Sequence, residues 1–218
     1  MSLWKCPVGP GRYGDGIVEQ PRLSDEGASA VGEYCGKYYE LCAQGNLFFY
    51  ATPAAGIALT TVAATNQFTI WNPAGSGKNF VPLVVRIGFV SGAAVIAGFI
   101  GYYRYPNAGA NIGLPFSVFT DIAVASAYLS GPTRKVSTMR FSTTNTLPAA
   151  PTFQRASNFS LLQSRAANTN APYSMVEDLK GEIIVPPGTT FTIAGNAAII
   201  PTVAICVIGA EVLIPLEA

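Results

Sequence analysis

The sequence predicts an all-β sandwich, and three observations carry that prediction. Short runs rich in β-branched and aromatic residues recur from residue 46 onward, and clusters of Gly, Pro and Asn separate them. Gly and Pro together are frequent, at 22 and 16 of the 218 residues. Little of the chain shows helical periodicity. About eight strands in two sheets, as in a jelly roll, fit this length as one domain.

The predicted strands cover residues 47–50, 68–71, 80–90, 95–103, 136–142, 183–185, 191–193 and 202–213. Ser91-Gly92 predicts a hairpin that joins the third strand to the fourth. Residues 202–213 are apolar on both faces, which predicts a central strand covered on both sides.

Three segments of the chain do not show a strand pattern. Dense alanines predict a helix over 118–129. Residues 104–117 and 143–180 have the composition of long loops. Loops of that length are either functional or hold elements that the pattern does not reveal.

The first 43 residues differ from the rest because they are rich in Gly, Pro and charge. We expect them to form an extended N-terminal arm or irregular cap, with residues 44–218 as the jelly-roll-like β-sandwich. The pattern over residues 28–41 does not distinguish a short helix from a short strand. Residues 1–11 have no apolar core of the kind that a signal peptide needs, and reduced thiols are therefore expected. The alternative to reduced thiols is a disulfide between Cys35 and Cys42.

The composition excludes several classes of protein. Charged residues make up 11% of the chain and apolar residues 50%, whereas about 25% charged is typical. This combination excludes a disordered chain and a coiled coil. With no histidine, there is no histidine base, metal ligand or pH switch. The uncharged stretches 87–103 and 183–210 contain Gly or Pro breaks, which favour buried strands over membrane spans.

The motifs that could carry chemistry are incomplete. Residues 9–14 match G-x-G-x-x-G, but Pro7 precedes the match, Pro10 lies within it and no helix follows it. Residues 75–78 read Gly-Ser-Gly-Lys without the remaining residues of a phosphate loop. A serine or cysteine nucleophile would have no histidine base. Glu177 and Asp178 fit a solvated turn better than a catalytic pair. We therefore expect no enzyme, no cofactor and no metal.

The few charges are unevenly distributed along the chain. Net charge is −2 over 1–43, +7 over 44–176 and −4 over 177–218. This arises either by chance or because basic and acidic faces meet between subunits or with a partner. Arg134, Lys135 and Arg140 form a basic group, but a net charge of +1 is weak for nucleic-acid binding. The predicted partner-binding residues are Trp4, Arg12, Tyr13, Arg134, Lys135 and Arg140.

Two segments resemble loop–strand units of virion β-sandwich proteins from tailed bacteriophages. They are NPAGSGKNFVPLVVRIGFVSG (72–92) and IIVPPGTTFTIAG (183–195). A similarity in the general alternation of turns and strands extends over about residues 46–100 and 180–215. The resemblance implies a jelly-roll capsid decoration (cement) protein. Such proteins form homotrimers that bind the major capsid protein on the outside of the virion, after assembly in the host cytoplasm. It implies no catalytic residue, and the arm would reach a neighbouring subunit. From the weak net charge and the Gly and Pro breaks described above, we expect neither nucleic acid nor a membrane as a partner.

Two other functions are open at this point. One is a carbohydrate- or receptor-binding module of a tail or fibre, in which Tyr102, Tyr103, Tyr105 or Trp71 would stack on sugar rings; core or interface packing is the competing role of these aromatics. The other is a jelly-roll major coat protein.

Overall fold

The computed structural model describes residues 37–65, 68–91, 99–106, 116–129, 134–160, 174–196 and 202–214. The chain divides into two compact units, Met1–Tyr39 and Glu40–Ala218. Most of the first unit lies outside the described residues, and so do Trp4, Arg12, Tyr13 and Cys35. A helix of five residues, α1 (Tyr39–Ala43), comes before the first described strand.

The remaining described elements are all strands. In chain order they are β1 (Leu47–Ala51), β2 (Ile57–Ala58), β3 (Phe68–Asn72), β4 (Lys78–Ser91), β5 (Phe99–Arg104), β6 (Val118–Thr120), β7 (Ala125–Ser126), β8 (Arg140–Ser142), β9 (Thr144–Thr146), β10 (Thr152–Ser160), β11 (Ser174–Asp178), β12 (Thr189–Gly195) and β13 (Thr202–Leu213).

Eight of these strands form a rolled hairpin. β1 pairs with β13, β3 with β12, β4 with β11 and β5 with β10, always antiparallel. The first four strands therefore pair with the last four in reverse order. The additional pairs β4–β13 and β5–β12 fold this hairpin into two sheets, β11-β4-β13-β1 and β10-β5-β12-β3. This connectivity is that of a jelly roll, which confirms the predicted fold class.

The shorter strands add to this framework. β7 extends the first sheet beside β1, and β8 extends the second sheet beside β3. β6 and β9 pair with each other, and β2 pairs with the start of β13. β6 to β9 all lie within residues 105–151, the connection between β5 and β10, which we call the insertion.

The core lies between the two sheets, and alternate residues of each strand contribute to it. Its largest fully buried side chains from the first sheet include Phe48, Tyr50 and Phe80, and those from the second include Phe68, Tyr102, Phe141 and Phe191. The Tyr50 and Phe80 rings meet edge to face at 5.0 Å. Gly209 leaves room for this packing, because a Cβ there would lie 2.2 Å from Cε2 of Phe80.

Several predicted elements are confirmed. The last strand has the predicted bounds, 202–213, and it is central, between β4 and β1. The strands predicted at 47–50, 68–71, 80–90 and 191–193 are present and slightly longer. Of the segment predicted at 136–142, only Arg140–Ser142 is a strand, and 183–185 contributes a single bridge from Val185 to Phe80. The predicted loop 143–180 holds β9, β10 and β11.

Two predictions are wrong. Residues 80–90 and 95–103 do not form a hairpin, because β4 pairs with β13 and β11 in one sheet while β5 pairs with β12 and β10 in the other. Residues 118–129 are not a helix. They hold β6 and β7, whose pairing with β9 and β1 outweighs the helix propensity of the alanines.

Candidate interaction surface

A buried carboxylate near the end of β13 organises one end of the sandwich. The Glu211 side chain accepts hydrogen bonds from Ser137 Oγ at 2.5 Å, Thr138 Oγ1 at 2.7 Å and the Thr138 backbone N–H at 3.0 Å. Lys78 Nζ lies 2.9 Å from Glu211 Oε2, and Tyr50 donates a longer bond of 3.4 Å from its hydroxyl. We call this group the Glu211 clasp.

The electrostatics of the clasp keep Glu211 ionised. Burial by itself raises the pKa of Glu211, but the hydrogen bonds from Ser137, Lys78 and Thr138 outweigh it and leave that pKa lowered. Burial, and next the negative charge of Glu211, raise the pKa of Tyr50. Both oxygens of the carboxylate already accept hydrogen bonds. The arrangement therefore suits holding chain segments together better than proton transfer to a substrate.

The clasp fixes residues 134–138, which we call the strap. Ser137 and Thr138 point to Glu211, while Arg134, Lys135 and Val136 are exposed, Val136 to 88%. Lys135 Nζ donates to Asn46 Oδ1 at 2.7 Å. The strap is thus anchored at two points, and its exposed residues are held on an ordered backbone.

The end of β13 continues this exposed surface. Leu213 is two residues beyond Glu211, so it leaves the strand on the same side as the clasp, and it is 72% exposed. Val212 and Ile214 are also exposed. By the same alternation Val212 faces the opposite side of the sheet, so we give the name strap edge to Arg134, Lys135, Val136 and Leu213. The two segments meet at Glu211, and exposed apolar side chains accompanied by cationic groups are found on surfaces that a partner covers.

The third predicted basic residue lies in a different environment. Arg140 donates to Asp121 through Nε at 2.8 Å and through Nη2 at 2.6 Å. Its guanidinium also lies over the rings of Phe119 and Trp71, at 4.8 and 5.4 Å from their centroids. Arg134 and Lys135 therefore lie together on the strap. Arg140 instead connects the start of β8 to Asp121, the residue after β6, within the insertion.

The aromatics proposed as a sugar platform are mostly buried. Tyr102 belongs to the core, and its hydroxyl donates to Glu177 Oε2 at 2.6 Å. Tyr103 and Trp71 are also buried. Trp71 packs with Phe116 and Leu147, and Tyr105 packs against that cluster. For Tyr102, Tyr103 and Trp71, the packing role is the correct one of the two alternatives.

Sequence reasoning missed Glu211, Ser137 and Thr138. The available signal was an acidic residue within an otherwise apolar strand, since a carboxylate at such a position needs buried partners. The identity of those partners could not be predicted, because the strap lies more than 70 positions earlier in the chain.

The remaining chemistry of the described residues is sparse. No group of His, Cys, Asp or Glu among them is placed to hold a metal ion, and none of their helices has the length and apolar character of a membrane crossing. Cys42 and Cys206 are free thiols. No family model, curated protein or solved structure matches this chain. The fold and the surface of the chain are therefore what indicate its function.

Proposed function

We propose that this chain is a structural virion protein that binds the outside of a tailed-bacteriophage capsid and stabilises it as a homotrimeric decoration protein. The observation that carries the proposal is the strap edge, an exposed apolar and cationic surface held by a buried carboxylate on a jelly-roll sandwich. The resemblance of residues 72–92 and 183–195 to phage virion proteins supports the same function.

The pairing of charges supports an acidic partner for the strap edge. Within the described residues, Glu211 pairs with Lys78, Asp121 with Arg140, and both Glu177 and Glu182 with Arg155. None of these carboxylates binds Arg134 or Lys135. A complementary surface on the capsid would therefore present acidic side chains to the strap, with apolar groups opposite Val136 and Leu213.

The mechanism would be mechanical. A decoration subunit that binds the assembled shell, and not the separated coat subunits, stabilises the shell by mass action. Burial of the apolar part of the strap edge would supply affinity, and its two cations would select the acidic site. The arm, residues 1–43 with Trp4, Arg12 and Tyr13, would contact a neighbouring subunit.

The proposal is tested by binding the full-length chain to capsids that were assembled without it and sedimenting the particles. We expect the wild-type protein to be a trimer in solution and to bind. The double variant Arg134→Glu/Lys135→Glu should bind at least tenfold more weakly, since two attractive charges become repulsive ones. Binding of the wild type should also weaken with salt.

A matched control reverses two exposed charges away from the strap, Arg86→Glu/Lys180→Glu. It should bind as the wild type does. The proposal is wrong if the wild-type chain stays monomeric and ignores capsids. The strap edge is the wrong surface if both double variants lose the same affinity.

The carbohydrate-binding alternative has lost its main support, because three of the four aromatics it needs are buried. A major coat protein with the same fold would differ in copy number, and the particle measurement that closes the Discussion separates the two.

A further inference from the structure

A small cavity opens beside the last residue of β5. Its volume is about 100 Å³. Arg104 follows Tyr102 by two positions in the same strand, so the two side chains leave β5 on the same side. The other lining residues come from β5, from β10, from β12 and from the segment before β12: Tyr103, Gln154, Ile183, Ile184, Val185, Pro186, Thr189, Thr190 and Phe191.

The Arg104 guanidinium in this cavity lacks a carboxylate. Its Nε is buried and has no hydrogen-bond partner, and no described ion pair includes Arg104. A buried donor without an acceptor has lost its hydrogen bonds to water without replacement, so native proteins seldom leave one unpaired.

Two other arginines of the same domain show the arrangement that Arg104 lacks. Arg140 binds Asp121 side-on, with Nε on one oxygen and Nη2 on the other. Arg155 uses its two terminal nitrogens on Glu177 and Glu182. Arg155 thus already holds Glu177, which binds the lining residue Tyr102, and Glu182, which precedes the lining residue Ile183. Arg104 remains available to an acceptor from outside.

We propose that this cavity is a binding site for a short carboxylate, which is held by the guanidinium of Arg104. The paired geometry of the guanidinium fits two carboxylate oxygens. Gln154 and Thr190 provide polar groups near the oxygens, and the apolar wall of residues 183–186 suits a short aliphatic body.

The size of the cavity limits the ligand. The cavity exceeds the roughly 10–15 Å³ that one water needs, so several waters, or a carboxylate with a few methylene groups, fit in it. Both a free short-chain carboxylate and the tip of an acidic side chain from a partner meet this description. The cavity and the strap edge share no residue, and the proposed carboxylate site does not depend on the proposed function.

The site is tested by NMR on the full-length protein, with sodium butyrate as the probe and sodium chloride at equal ionic strength as the reference. We expect the Nε–H signal of Arg104 to shift and saturate with butyrate only. Arg104→Lys keeps the charge but loses the planar fork, and it should weaken butyrate binding at least tenfold. Arg86→Lys, at an exposed arginine outside the cavity, should leave binding unchanged.

A second probe separates the two sources of the carboxylate. The peptide N-acetyl-Ala-Glu-Ala-amide should bind in place of butyrate if the site receives a partner's acidic side chain, and saturation by either probe supports the site. Thermal unfolding verifies that Arg104→Lys is folded. The proposal is overturned if neither probe saturates, or if Arg104→Lys binds as tightly as the wild type.

Discussion

The rolled hairpin and the insertion of residues 105–151 are held in the fold by different means. The hairpin strands form long main-chain ladders, and β4 follows β13 from Ser91 to Lys78. The described strands of the insertion have two or three residues each. It is fastened by β7 and β8 at the edges of the two sheets, by Phe141 in the core, and by Ser137 and Thr138 on Glu211. Arg140 and Asp121 pair within it. Stability thus resides mainly in the hairpin, while the insertion presents the strap as an exposed surface.

The largest effect is expected from truncation of the hairpin core. Phe80→Ala removes a fully buried ring that packs against Tyr50 and should lower the free energy of unfolding by about 3–5 kcal/mol. Chemical denaturation measures this loss. Phe153→Ala, at a ring that is half exposed on β10, is the matched control and should cost far less. Equal losses in the two variants would contradict the assignment of the core.

A smaller but still large effect is expected at the junction of the two regions. Glu211→Gln keeps the shape of the side chain but removes the charge that Lys78, Ser137 and Thr138 bind. We expect a loss of about 2 kcal/mol, less than for a fully buried pair because Lys78 is partly exposed. Hydrogen exchange should also show faster exchange at Thr138. Glu182→Gln, at an exposed carboxylate, should leave the Thr138 amide unchanged; protection that survives Glu211→Gln would rule out the clasp as the anchor.

The same junction predicts a dependence of stability on pH. The pKa of Glu211 is lowered in the folded protein, so the unfolded state binds its proton first as the pH falls. The contribution of Glu211 to stability is therefore fully present above its unfolded pKa of about 4.3 and is lost as the pH falls through the folded value. Unfolding free energies across pH 3–7 measure it. The acid-induced loss should be smaller in Glu211→Gln than in the wild type, and identical slopes would contradict this origin.

The smallest effect is expected inside the insertion. Asp121→Asn removes the ion pair with Arg140, but both side chains are partly exposed, so about 0.5 kcal/mol should be lost. The difference from wild type should shrink further in 1 M salt. Thermal unfolding with and without salt tests both statements. A loss as large as that of Phe80→Ala would mean that the insertion, and not the hairpin, holds the fold.

The same division explains what could be predicted from the sequence. Runs such as 68–71 and 202–213 carry their strand pattern locally, because burial between sheets selects β-branched and aromatic residues. Which sheet a strand joins is not local. For this reason the prediction of a hairpin between 80–90 and 95–103 was wrong. The first segment is a strand and the second contains one, but they belong to different sheets. Short strands such as β6 and β7 depend on partners elsewhere in the chain. The helix propensity of the alanines in 118–129 therefore gave the wrong prediction.

The candidate surface was predictable only in part. Arg134 and Lys135 could be singled out by charge, and the structure places both on the exposed strap. Arg140 has the same charge, yet its acceptor Asp121 lies 19 positions earlier, and only the fold brings them together. The Arg104 cavity likewise depends on contacts between β5, β10 and the segment before β12, which no local pattern encodes.

The copy number and position of this chain in purified virus particles test the central claim most directly. Quantitative gel densitometry with a particle map gives both. A decoration protein predicts hundreds of copies on the outer surface, in groups of three above a shell made of another protein. Absence from the particle, a few copies at one vertex, or a shell built from this chain alone would contradict the account.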